Sequence, residues 1–247
     1  MAGEDAVTDE LRPKVLHVLR GTGEPFERAF PGSTDRFIAA IVPAFENLVA
    51  TLHRFQEEPL RSQRSGNQPD HYILAWQLLW EACNALLAAF TLFQRGYATE
   101  CLAVTRGVVE RVACAFFLFD NPGLLPRFKT GALGDLAARA IGPASRVIRA
   151  FGSRYGLLSE LGAHIGKDNV GTGFVAIEHG ETMHHLHLAI GGNIPASGPD
   201  VEGWKDMVAE FCDIAEGLLA PAPKQMFFNA RRPTATLKKA DGPPEVM

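Results

Sequence analysis

Apolar residues recur at three- and four-residue steps along most of the chain, which is the period of a helix with one face on a core. Over 33–58, Phe37, Ile41, Phe45, Leu48, Leu52 and Phe55 form one such stripe, with Ser33 or Thr34 placed to cap its first turn. After the polar stretch 61–69, a nearly all-apolar helix is expected from Asp70, as N-cap, to Gly96, the residue type that most readily ends a helix in a left-handed conformation. A third helix, 97–120, closes at Asn121-Pro122. Two long helices joined at a glycine predict an antiparallel αα-hairpin. Helical patterning resumes over 132–151, with a break at Gly142-Pro143, and over 153–163. It returns over 200–219, where Trp204, Met207, Val208, Phe211 and Ile214 keep core spacing.

The period changes from helical to alternating between 171 and 192. FVAI and HHLHLAI flank His179-Gly180-Glu181, which predicts a short β-hairpin near 173–190 with His184, Leu186, Leu188 and Ile190 on one face. Residues 1–32 read as a flexible lead-in, with one short helix near 9–20 interrupted by Pro13 and then a Gly/Pro stretch. Residues 221–247, rich in Pro, Ala and Lys, read as a mobile tail. The expected architecture is mainly α: one helical domain over 33–220, a bundle built around the hairpin, without internal repeats.

Composition sharpens this picture. At 247 residues, 47% hydrophobic and 21% charged, the chain can bury one sizeable core. A net charge of -4 supplies no broad basic field, so duplex DNA is not the expected partner, while RNA is left open. Cys83, Cys101, Cys114 and Cys212 all fall in apolar helical stretches without metal-site spacing, as expected of reduced core thiols in a cytoplasmic protein. The acidic N-terminus lacks the pattern of a secretory signal. Residues 73–93 have the length of a membrane span. Gln77, Glu81 and Asn84 interrupt them, however, and one central carboxylate costs roughly 2.5–3.5 kcal/mol on insertion. A core helix is expected there instead.

Those interrupting residues are regularly placed. Gln77, Glu81, Asn84 and Thr91 line one narrow stripe, and Thr99, Arg106 and Glu110 do the same on the following helix. Antiparallel packing about Gly96 sets Glu81 at the depth of Arg111 and within a turn of Arg106 and Glu110. This seam reads either as structure, through a Glu81–Arg106 pair or a solvent-facing edge, or as a site in which Arg106 and Glu110 act with His164. His164 lies four residues after Glu160, at a helix end, and its side chain suits a general base. His179, His184, His185 and His187 make the densest histidine cluster. His185 and His187 share a strand face, and a zinc ion would need a further donor from Glu178, Glu181 or His164. Gly162 to Lys167 lacks the spacing of a phosphate loop, and neither a Gly-x-Ser-x-Gly elbow nor a His-Glu-x-x-His helix occurs.

The string NALLAAFTLFQRGYATECLAVTRGVVERVACAFFLF at 84–119 resembles a bacterial helical family catalogued as domain of unknown function 5677. That family's hairpin carries R-G-x-x-x-E followed by L-x-R-x-x-x-E. Gly96 matches its first glycine, Arg106 and Glu110 match its arginine and glutamate, and Ser159 with His164 resembles its later Ser-x-x-x-x-His. The resemblance spans about 37–166 and implies a helical fold with no settled reaction. The family in turn looks distantly like the bundles of prokaryotic defence ribonucleases, whose Arg-to-His signature occurs here only as Arg12 and His17, with Pro13 between them.

Two functional readings follow. The first is an interaction or ligand-binding module, without a cofactor, that uses the apolar hairpin face to meet a second copy, another protein or a small molecule. The second is a hydrolase or ribonuclease-like enzyme with Arg106, Glu110 and His164 as catalytic residues and Glu81, Asn84 and Ser159 as binding residues. Metal at His185 and His187 is a third and weaker option.

Overall fold

The structure is a computed structural model and describes residues 13, 24–61, 70–132, 139–142, 144, 174–179, 184–188 and 200–228. Within these, a short helix α1 (Glu24–Ala29) precedes three long helices, α2 (Ser33–Arg61), α3 (Asp70–Gln94) and α4 (Ala98–Asp120). A 3-10 turn at Pro122–Leu124 leads into α5 (Leu125–Lys129), and α6 (Asp200–Ile214) begins a helical run that continues to Phe228. The mainly helical bundle expected from the sequence is what forms.

The α3–α4 hairpin turns on Gly96, whose φ of 86° is the left-handed conformation that L side chains avoid. Its N–H donates to the carbonyl of Phe93 at 2.9 Å and that of Tyr97 to Leu92 at 3.0 Å. This pair of bonds satisfies the last carbonyls of α3 and turns the chain back along it. Antiparallel packing places Tyr72 against Phe119, ring centroids 4.9 Å apart, at the far end of the hairpin.

Helix α2 runs antiparallel to α3 on its other side. Three contacts fix the register: Gln94 Nε2 donates to Thr34 Oγ1 at 3.0 Å, Trp76 Nε1 donates to the Leu48 carbonyl at 2.8 Å, and Phe45 meets the Trp80 ring edge-on. Phe37, Ile41, Phe45 and Leu48 are buried along the expected stripe, whereas Leu52 is 37% exposed. The helical run 200–228 closes the core against α2 and α3, with Val208, Phe211 and Ile214 buried.

Three expectations at the ends need correction. The lead-in does anchor the core: Phe26 is fully buried and Phe30 nearly so, and both pack on Trp204. Helix α1 also supplies the cap of α2. The Glu27 carboxylate accepts from the backbone N–H groups of Gly32 and Thr34, and a negative group suits the partial positive charge at a helix start. Ser33 and Thr34 were the expected caps; the Thr34 hydroxyl is instead bound to Gln94.

The tail does not begin at Pro221. Helical structure continues to Phe228, and Ala222, Pro223, Met226 and Phe227 are buried. Prolines 221 and 223 lack an N–H, and their rings would collide with the carbonyls of Gly217 and Leu219 in an α-helix. The chain widens to π-helical turns at Ala215–Leu219 and Lys224–Phe228. One five-residue bond, from Ala220 N–H to Ala215 C=O at 2.8 Å, marks that change. Asn47 Nδ2 donates to the Ala220 carbonyl at 2.8 Å and ties this run to α2.

Strands β1 (Phe174–His179) and β2 (His184–Leu188) are antiparallel, with an irregularity between Phe174 and Ala176.

Candidate functional site

The polar stripe of α3 faces outward. Ile73, Gln77, Glu81, Asn84 and Ala88 are all exposed, and the opposite face, including Leu79, Cys83, Leu86 and Phe90, is buried. Half-buried apolar side chains border the stripe: Trp76, Trp80 and Leu87 on one side, Leu78, Ala85 and Leu92 on the other. The two tryptophans stack with centroids 5.4 Å apart. Asn84 donates through its side-chain nitrogen to the Trp80 carbonyl at 2.9 Å.

Glu81 meets Arg111, as the antiparallel depth requires, with Oε2 3.7 Å from Nε. The side chains are 63% and 40% exposed, so this pair is held loosely in water and contributes little to stability. Arg111 Nη1 also donates to the Gly107 carbonyl at 2.9 Å. A Cβ at Gly107 would lie 2.8 Å from that nitrogen, so the glycine inside α4 gives the guanidinium its resting place. Arg106 is not the partner of Glu81. Its Nε donates to Glu110 Oε1 one turn along α4 at 2.9 Å, with both side chains 28% exposed.

The seam thus separates into a half-buried Arg106–Glu110 pair and an open Glu81–Arg111 pair. Neither pair includes a serine, cysteine or histidine. His164 and Ser159, the residues expected to complete a catalytic set, lie outside the described residues, as do Arg12 and His17. His185 and His187 lie on β2. Among the described residues, no three His, Cys, Asp or Glu side chains gather to hold a metal ion.

The four thiols are buried. Burial pushes the Cys83 thiol well above its ordinary range. Cys101 is pushed up to about 12, first by burial and then by the charge of Glu100, with the Leu102 backbone hydrogen bond opposing. Cys212 is raised as well, by burial first, then by Glu216 and Asp213, against Arg36. None of Cys83, Cys101 and Cys212 is a thiolate nucleophile near neutral pH. At pH 8 a thiol-disulfide reagent such as Ellman's is expected to label no cysteine in the folded chain and all 4 in denaturant. Because these folded values lie above the unfolded 9.0, the stability they confer is present below pH 9 and is lost as pH rises from 9 toward 12. The loss approaches about 1 kcal/mol per pH unit for Cys83 and for Cys101. Urea melts at rising pH measure it, and stability that is flat from pH 8 to 10 would contradict it.

Sequence reading missed Gln94, which is 1% exposed and bridges α3 to Thr34. Its signal was slight, one amide just before the terminating Arg95-Gly96. His71–Gln94 is long and apolar enough to cross a membrane, although its outward stripe carries Gln77, Glu81 and Asn84. Compared with protein-family models, curated proteins and solved structures, the chain has no match.

Proposed function

We propose that the chain is a cytoplasmic, non-catalytic helical module that pairs with a second copy of itself through the outward face of α3. The observation that carries this reading is the order of exposed residues along that face. From Ile73, which is 44% exposed, the order is apolar, amide, carboxylate, amide, apolar: Ile73, Gln77, Glu81, Asn84, Ala88. It reads nearly the same in both directions, as the two-fold interface of a homodimer requires.

Antiparallel contact of two such faces sets Ile73 beside Ala88 of the second copy and Gln77 beside Asn84. Both Glu81 side chains come near the axis. Each then stands between its own Arg111 and that of the second copy, so two charges of each sign meet and neither carboxylate is left uncompensated. The half-buried Trp76 and Trp80 border the contact, in keeping with the aromatic content of stable interfaces.

The register is testable by crosslinking. A chain carrying both Ile73→Cys and Ala88→Cys is expected to form a covalent dimer under mild oxidation, since the native thiols are buried. Either substitution alone should give little, because the two-fold separates position 73 from its own copy by about 22 Å along the helix axes. No dimer from the double variant, or equal crosslinking by the single ones, would remove the proposal.

The hydrolytic alternative needs His164 beside Arg106 and Glu110. No observation on the described residues favours it, and the hairpin's family resemblance brings no reaction with it.

A further inference from the structure

Gly107 stands inside α4, where alanine would be the better helix former. Its backbone does not call for glycine: the glycines held at positive φ among the described residues are Gly32, Gly96 and Gly131. What a side chain there would meet is Arg111, since Nη1 lies 2.8 Å from an ideal Cβ, closer than a Cβ normally stands to any neighbour. The bare backbone lets the guanidinium lie along the helix, with Nη1 donating to the Gly107 carbonyl at 2.9 Å.

That contact fixes the far end of a long side chain that would otherwise swing through many rotamers. It engages one of the five N–H groups of the guanidinium. Glu81 of the same chain stands 3.7 Å from Nε, near enough to balance charge but too far for a hydrogen bond. The Arg111 side chain also keeps 40% of its surface exposed. Donors therefore remain for a second carboxylate, which an arginine fork accommodates well.

In the antiparallel pairing of α3 that carboxylate is Glu81 of the second copy. Resting on that reading, we infer that Gly107 is a positioning residue of the interface: it holds Arg111 where the guanidinium bridges the two Glu81 side chains, and the resulting charges select an identical chain as partner. Each copy brings one carboxylate and one guanidinium to the axis, so two copies balance. An arginine already in place when the partner arrives loses less freedom on binding, which is how preorganisation raises affinity.

The test measures the dimer dissociation constant of the full chain by sedimentation equilibrium, with thermal melts of the dilute monomer alongside. Gly107→Ala is expected to weaken dimerisation about fivefold to tenfold, the scale of ordering one long side chain at an interface. Its melting midpoint should stay level or rise, because alanine suits a helix interior. Glu81→Lys and Arg111→Glu each place like charges alone at the axis, so each should be a monomer at concentrations where the wild type is a dimer. Mixed in equal amounts, the two variants restore both signs and should pair with one another. An unchanged dissociation constant in Gly107→Ala, or a weaker one accompanied by a lower midpoint, overturns the positioning role. Homodimers of either charge variant as tight as wild type, or no pairing in the mixture, overturn selection by charge. In all of these outcomes the wild-type dimer is present; a wild-type chain that never dimerises instead overturns the α3 reading itself.

Discussion

Phe90→Ala is expected to remove about 3–5 kcal/mol of folding stability, a large part of the roughly 5–15 kcal/mol that holds a domain of ordinary size together. Phe90 is fully buried and sits where four segments converge. Its ring stacks on Phe37 of α2 at 4.0 Å, meets Phe26 of α1 edge-on at 5.9 Å and Phe211 of α6 edge-on at 5.4 Å, and lies near Phe93 on its own helix. Truncation would leave a cavity whose walls belong to separate helices, and walls fixed by several long helices relax poorly. Chemical denaturation with a helical signal measures the loss. A cost under about 1 kcal/mol, the size expected of an exposed position, would mean that these helices do not share one core.

The second large effect is expected at Phe227, in a segment whose prolines suggest a tail. Phe227→Ala should cost about 3 kcal/mol, the lower part of the range for a buried phenylalanine, because the residue keeps 8% exposure. It packs edge-on against Phe119 of α4 at 5.4 Å and near Tyr72 of α3 at 5.9 Å. The C-terminal run thereby closes the open end of the hairpin, opposite Gly96. Phe228, the next residue, is 42% exposed under the Arg54 guanidinium; Phe228→Ala should cost well under half as much. Equal effects at the two positions would contradict the described register of the last helical turns.

How far the sequence carries depends on what each signal encodes. The hairpin was legible because two local rules agree: long apolar helices need partners, and Gly96 supplies the one conformation that reverses the chain between them. Counting residues outward from that turn was enough to set Glu81 beside Arg111. The direction of the Glu81 stripe was not legible. A helix apolar on most of its surface with one polar line reads alike whether that line faces water or a partner, and burial is decided by which helices arrive from elsewhere.

Phe26 escaped because α1 has only 6 residues, too few to show a period. Its signal was the four-residue step from Phe26 to Phe30, and the surrounding glycines and prolines outweighed it. Pro221 and Pro223 misled for a different reason. They remove two N–H groups from the helical ladder without ending the run: Pro221–Pro223 stays α-helical between the π-helical turns Ala215–Leu219 and Lys224–Phe228. The alternation over 171–192 suggested a hairpin, but the register of two strands is a property of their pairing, because a slip of one residue exchanges the faces.

The claim that α3 is an interface rests on the symmetry of its exposed face, and native mass spectrometry of the wild-type chain across the micromolar range tests it most directly. The predicted result is a dominant species at twice the 26.8 kDa of the chain, reduced to one chain by Ile73→Asp. A wild-type protein that stays a monomer throughout that range, or a dimer that Ile73→Asp leaves intact, would contradict it.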